Sequence, residues 1–354
     1  MIIGGEKKYS HTMSTIKKIG ALVILTLLSL SPAVAETASA EPASGRYGFS
    51  FSPLIGILYG HAEEIVYRSR GRPEYISELR WDLKPLIYTG LAADYGPRDP
   101  FQGHGFSAAF SAKFGLPLQT GYQENRDWLY PDSNGLTNYS RHDAHSQNTL
   151  LADFSLGYSW RLSSFLSLRA YGELSFMHFN WLSYDGYLQY LESNQAGIIP
   201  GQVWNSNIPK VYSYGPAVQY VQNWFILSPG LSLKARFTEL FSAEANFRYS
   251  PLVFCKNRDE HFYRSVTFSD EMFFGHFYDG GGRFIVSPSV NLELSLSAAF
   301  RYIYGMRGDI TVKNNGVAGY DFFAGREYLA SNDAGAGYSA LDIGLTVKLL
   351  IPSR

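Results

Sequence analysis

The chain of 354 residues is 45% hydrophobic and 16% aromatic but only 17% charged, and its formal net charge at pH 7 is −1. Soluble domains carry about 25% charged residues, yet a mean hydropathy of −0.13 excludes a bundle of membrane helices, which need about 20 consecutive apolar residues each. The charge balance argues against a nucleic-acid partner, and the single cysteine, Cys255, excludes an intramolecular disulfide.

At the N-terminus, Lys17 and Lys18 precede an apolar stretch from Ile19 to Leu30, followed by Pro32 and Ala33-Val34-Ala35. A basic region, a short apolar run and an A-x-A site make a secretory signal peptide, so cleavage is expected after Ala35. A transmembrane anchor is the weaker reading, because the run is short. The expected organisation is a signal peptide over 1–35, a short segment over 36–45 and one domain over 46–354. Loss of the signal removes four lysines and one glutamate, leaving 26 basic and 30 acidic residues and a net charge of −4.

Beyond residue 45 the dominant pattern is two-residue alternation. Phe106, Ala108, Phe110, Ala112 and Phe114 alternate with Ser107, Ser111 and Lys113; Leu294, Leu296, Phe300 and Tyr302 alternate with Ser295, Ser297 and Arg301. Each such run is a strand with one apolar and one polar face. The pattern predicts ten strands, near 47–68, 75–93, 104–127, 147–161, 165–186, 213–236, 241–257, 264–286, 290–306 and 336–350. Several reach the roughly 9 to 11 residues that cross a bilayer as a tilted strand. An even number of long strands, charges on the polar face and aromatics such as Trp160 and Tyr302 at strand ends predict an all-β antiparallel transmembrane barrel of outer-membrane type. Ten strands leave a lumen for side chains rather than a wide channel, which disfavours a diffusion porin. Short links at 97–100, 162–164, 238–240 and 287–289 fall at the periplasmic end. Long ones at 128–146, 187–212 and 307–335, with 69–74 and 258–263, fall outside.

Two outer-rim segments carry side chains suited to hydrolysis: Asn125-Arg126-Asp127-Trp128 and Asp259-Glu260-His261. Residues two apart on an extended segment point the same way, so Asp259 can fix the tautomer of His261 and stabilise its imidazolium, as a general base requires. By itself Asp-x-His is also compatible with a solvated loop. His142 and His145 around Asp143 lack companion ligands, so no metal is expected, and a polar loop is the expectation there. Ser140 beside His142 makes no triad. Gly280-Gly281-Gly282 lies within a strand pattern and reads as a packing feature. No cofactor motif occurs.

Several spaced motifs occur in order: Gly56-Ile57-Leu58-Tyr59-Gly60 leading to Glu64-Ile65-Val66-Tyr67, Ser77-Glu78-Leu79-Arg80-Trp81, Asp127-Trp128, Ser140-Arg141-His142, Asp259-Glu260-His261 and Tyr263-Arg264-Ser265. Together they resemble the omptins, outer-membrane proteases of Gram-negative bacteria, across nearly the whole mature chain. The resemblance implies a ten-stranded barrel at the cell surface that cleaves polypeptides. It implies His261 as the base, Asp259 as its orienter and Asp127 on the opposite wall. Ser140 and His142 become candidate substrate-groove residues.

This chain departs from the omptin pattern at three places. Asn125 stands where the family has the first aspartate of Asp-x-Asp, which predicts weakened hydrolysis. Glu64 matches one of two acids that hold a basic substrate residue, but the other position is Asn257, which predicts a weakened preference for Arg or Lys. Phe176 and His178 replace a lipopolysaccharide-contacting Glu-x-Arg, so lipopolysaccharide dependence does not carry over. The leading expectation is an omptin-like endopeptidase embedded in outer-membrane lipid. The alternative is a non-catalytic surface barrel that binds host or envelope ligands.

Overall fold

The computed structural model describes residues 47–68, 74–129, 135–191, 203–314 and 327–351; the expected signal peptide and the 36–45 segment lie outside these. The strands are β1 (Tyr47–Tyr67), β2 (Tyr75–Pro97), β3 (Gly105–Gly115), β4 (Gln119–Asp127), β5 (Asn138–Arg161), β6 (Leu166–Tyr190), β7 (Val211–Arg236), β8 (Phe241–Ser250), β9 (Val253–His261), β10 (Val266–Phe273), β11 (His276–Ser289), β12 (Leu292–Tyr304), β13 (Gly308–Asn314) and β14 (Glu327–Ile351).

These strands close into two stacked rings of ten. The lower ring runs β1-β2-β3-β5-β6-β7-β8-β11-β12-β14 and returns to β1 through antiparallel pairing of β14 with β1. The upper ring uses the same long strands but replaces β3 by β4 and the β8, β11, β12 group by β9, β10 and β13. Three of the ten predicted strands, 104–127, 241–257 and 264–286, are therefore each two segments, and the one predicted over 290–306 is followed by a further segment, β13. The breaks have local causes: Pro117 and Pro251 lack an amide donor, while Phe274 and Gly305 adopt positive φ of 64° and 75°. Closure satisfies every edge, the condition for β structure in lipid.

Outward side chains of the lower ring are apolar and exposed, among them Phe106, Phe110, Phe114, Leu296, Phe300 and Leu345. The belt ends where Phe225, Phe254 and Phe273 touch ring to ring. Just beyond, outward Lys256 pairs with Glu271 at 2.6 Å, and on the other side of the barrel Arg126 pairs with Glu124 at 2.8 Å. The upper ring thus stands clear of the belt. Inside the belt, Asp279 accepts from Arg248 at 2.8 Å and Arg301 at 2.9 Å, and a cavity of about 300 Å³ remains among Lys113, Asp153, Glu173, Arg248, Arg301 and Asp342.

The strands extend further outward than the alternation predicts. β5 begins at Asn138, β6 reaches Tyr190, β7 begins at Val211, and β13 and β14 occupy part of the predicted 307–335 loop. Above the belt both faces of a strand are polar, as with Glu124 and Arg126 outside and Asn125 and Asp127 inside. The hydrophobic period vanishes there while the hydrogen-bond ladder continues.

Candidate active site

Two walls of the upper ring face one another across its interior. On one, β2 and β4 pair Ser77 with Asp127 and Leu79 with Asn125. The Ser77 hydroxyl lies 2.7 Å from Asp127 Oδ1 and 3.1 Å from Asn125 Oδ1, and Asn125 Nδ2 donates to Asp127 Oδ2 at 3.4 Å. On the other wall, His261 Nε2 lies 2.7 Å from Asp259 Oδ2, with Asp259 buried to 2% exposure. The Phe268 ring meets the His261 imidazole edge to face at 5.4 Å. β4 stands third and β9 seventh in a ring of ten, so the walls are nearly opposite.

An aromatic floor lies under this groove. Trp81 of β2 stacks on Tyr220 of β7 at 5.5 Å and on Trp181 of β6 at 5.9 Å, and Phe179 stacks on Trp181 at 5.0 Å. All four rings are fully buried. Stacked aromatics this size supply rigid packing, so the walls are held apart at a fixed spacing and sealed from the charged lumen below.

Burial raises the pKa of Asp127 to about 6, against hydrogen bonds from Ser77 and Asn125 and the positive charges of Arg264 and His261. That His261 acts on Asp127 at all places the two side chains within electrostatic reach across the groove. Glu64 on β1 is buried and its pKa is pushed well up, first by burial and then by the neighbouring carboxylates of Asp259 and Asp270. Ser140 is buried on β5 in register with Asn125. His142, also buried, has its Nδ1 against the carbonyl of Asp185, and burial lowers its pKa. Both residues lie on a strand, which corrects the expected polar loop; the ladder to β4 and β6 carries through that stretch.

The omptin family model matches residues 46–349. The chain belongs to the omptin family. The omptin is 22% identical to the plasminogen activator of Yersinia pestis over 304 residues, 83% of this chain and 89% of that protein. Its fold matches the crystal structure of the outer membrane protease OmpT from Escherichia coli with a TM-score of 0.72, at 17% identity, covering 89% of this chain and 99% of that one. This omptin is an outer-membrane β-barrel, its apolar belt in lipid and the site-bearing rim outside the cell.

The structure brings together the residues singled out from the omptin motifs: Asn125 and Asp127 on one wall, Asp259 and His261 on the other, Glu64 beside Asp259, and Asn257 on the same inward face of β9. It adds two whose part the sequence did not reveal. Ser77 belongs to a quoted motif but gains its role only from the β2–β4 register. Asp270 sits opposite Asn257 in the β9–β10 hairpin. Counting back from the turn at 262–265 would have paired these two positions, had the turn been placed there rather than at 258–263. His178 on β6 is held between Asn148 at 2.6 Å and Asn223 at 2.8 Å.

Proposed function

We propose that this omptin is a cell-surface endopeptidase in which His261 activates water for attack on a peptide carbonyl. The observation that carries this reading is the 2.7 Å contact of His261 Nε2 with buried Asp259, facing the Asn125–Asp127 wall. With Nε2–H donated to Asp259, Nδ1 holds the free lone pair. A water between the walls, hydrogen-bonded to Asp127 and the Asn125 amide, gives its proton to Nδ1 as its oxygen attacks. The imidazolium so formed is stabilised by Asp259 and then protonates the leaving amine, which regenerates the base. Ser77 positions both members of the opposite wall. Ser140 and His142 line the groove where the substrate backbone runs, with Glu64 and Asn257 beside Asp259.

The test is cleavage of a mixed peptide library by purified protein in detergent micelles. His261→Ala removes the base and lowers kcat by about 100- to 10,000-fold, the usual worth of general acid-base catalysis, while heat-modifiable gel mobility stays that of the folded barrel. A folded wild-type barrel that cleaves nothing overturns the peptidase reading and favours a surface barrel that only binds.

A further inference from the structure

Strands β5, β6 and β7 lose register together beside the groove. In the β5–β6 ladder Arg141 faces Tyr187 and Asp143 faces Tyr184, so His142 alone meets two residues, Asp185 and Gly186. That is a β-bulge, a device that re-aims side chains. Asp185 and Gly186 take positive φ of 50° and 114°, and a side chain at position 186 would collide with the Arg141 carbonyl. Left-handed backbone at a residue other than glycine is strained and persists only where its surroundings enforce it. The enforcing contact comes from β7, where the amide of Gly215, itself at a φ of 88°, donates to Asp185 Oδ1 at 2.7 Å. The β6–β7 ladder also shifts register on either side of Tyr184, which faces Pro216.

The bulge turns the Asp185 carbonyl onto His142 Nδ1. A carbonyl only accepts, so Nδ1 carries the proton and Nε2 of the neutral ring keeps its lone pair. Burial lowers the pKa of His142, and the positive charge of His261 lowers it further against the pull of the Asp185 carbonyl, so the ring is a neutral imidazole within reach of the same groove. The two histidines thus hold opposite tautomers: His261 gives Nε2–H to Asp259, and His142 gives Nδ1–H to Asp185. Among the described residues no hydrogen bond reaches His142 Nε2. On the β4–β5 ladder His142 lies one inward step from Ser140, with Ser140 facing Asn125 and His142 facing Gln123. A single neutral lone pair suits a single neutral donor, and the one such donor that nearly every residue of a peptide carries is the backbone N–H. We propose that Asp185 is a positioning residue that holds His142 Nε2 as the acceptor for one backbone N–H of the substrate. The proposal rests on the peptidase reading above. It makes the bond a register lock, which sets the peptide residue that lies opposite His261 and acts through KM, because bound substrate and transition state share it.

The test uses purified protein in micelles and one cleaved peptide remade as a set, each member with a single backbone N–H on either side of the scissile bond replaced by an ester oxygen. In wild type one position of the set raises KM by about 5- to 10-fold, the worth of one neutral hydrogen bond, and that penalty disappears in His142→Phe. Asp185→Ala loses both the left-handed preference and the bond to Gly215; it raises KM for the all-amide peptide by the same factor, leaves kcat nearly unchanged and becomes insensitive to the ester. Asp185→Asn keeps an accepting oxygen and tolerates left-handed backbone, so it behaves as wild type, a rescue that a merely structural role for the carboxylate charge does not predict. Nitrogen NMR of isotope-labelled histidines, with the His142 signal assigned by its loss in His142→Phe, shows the Nδ1–H tautomer in wild type. An ester penalty that survives in His142→Phe, an Nε2–H tautomer in wild type, or an unchanged KM in folded Asp185→Ala overturns the proposal. Should Asp185→Ala fail to fold, Asp185→Gly keeps the backbone freedom without the carboxylate and reports the same KM. If wild type cleaves no peptide, the peptidase reading fails separately, and fluorescence anisotropy of the same labelled set decides the lock. A position-specific loss of affinity that disappears in His142→Phe supports it, and no binding to wild type overturns it.

Discussion

Restoring a carboxylate at position 125 is the most informative change in this site, and the geometry predicts a pH-dependent gain rather than a uniform one. Asn125 Nδ2 is 3.4 Å from Asp127 Oδ2. In Asn125→Asp an oxygen takes that place, and two like charges at 3.4 Å repel by about 5 kcal/mol at an effective dielectric of 20 and about 1 kcal/mol in water. At about 1.4 kcal/mol per pH unit, the pair gives up its second proton roughly one to three and a half pH units above its first. Asp127 already titrates near 6 because it is buried. Around neutrality the engineered pair therefore carries close to one net charge, as the wild-type wall does. The second charge, which further stabilises the His261 imidazolium, arrives only in alkaline solution. The expected result is kcat/KM for a fluorogenic peptide near wild type at pH 6, rising toward a gain of about 100-fold, the low end of general-base effects, as the pH approaches 9. The gain vanishes in the Asn125→Asp, His261→Ala double variant, because the groups act as a unit. A large gain already complete at pH 6, or a variant slower than wild type at every pH, refutes this reasoning.

Other outcomes follow from the same contacts. Ser77→Ala removes a hydrogen bond that holds the pKa of Asp127 down, so the acid limb of the pH–rate profile moves to higher pH; an unmoved limb means Asp127 does not govern it. Asp270 has its folded pKa raised from 3.8 to about 8, so its contribution to stability is full below about pH 4 and is lost as pH rises toward 8. Asp270→Asn escapes that loss, and its urea midpoint in micelles overtakes that of wild type across this window, whereas parallel curves contradict the sign. Topology is read by maleimide labelling of intact cells: Asn207→Cys, in the upper connection between β6 and β7, labels, and Glu239→Cys, in the turn between β7 and β8 at the opposite end, does not. Cys255 is fully buried and leaves a silent background; the reverse pattern inverts the barrel.

The sequence by itself determined the architecture of the lower barrel. Where lipid covers one face and a packed lumen the other, strand parity is written directly into residues such as Phe106 to Phe114 and Leu294 to Tyr302, and the number of such runs gives ten strands. It also determined the short-range pairs, Asn125 with Asp127 and Asp259 with His261, because two-residue spacing on an extended chain fixes a shared face whatever the rest of the fold does. Only the tertiary structure decided how high the strands continue above the belt, since polar residues on both faces erase the hydrophobic period there. It alone decided which pairs meet: Ser77 with the Asn125 wall through the β2–β4 register, and Glu64 with Asp259 and Asp270 through closure of β14 onto β1 and the β9–β10 hairpin. Parity is a local property of the chain, whereas register and closure depend on where distant strands stop, and a buried carboxylate acquires its unusual proton affinity only from neighbours that closure brings to it.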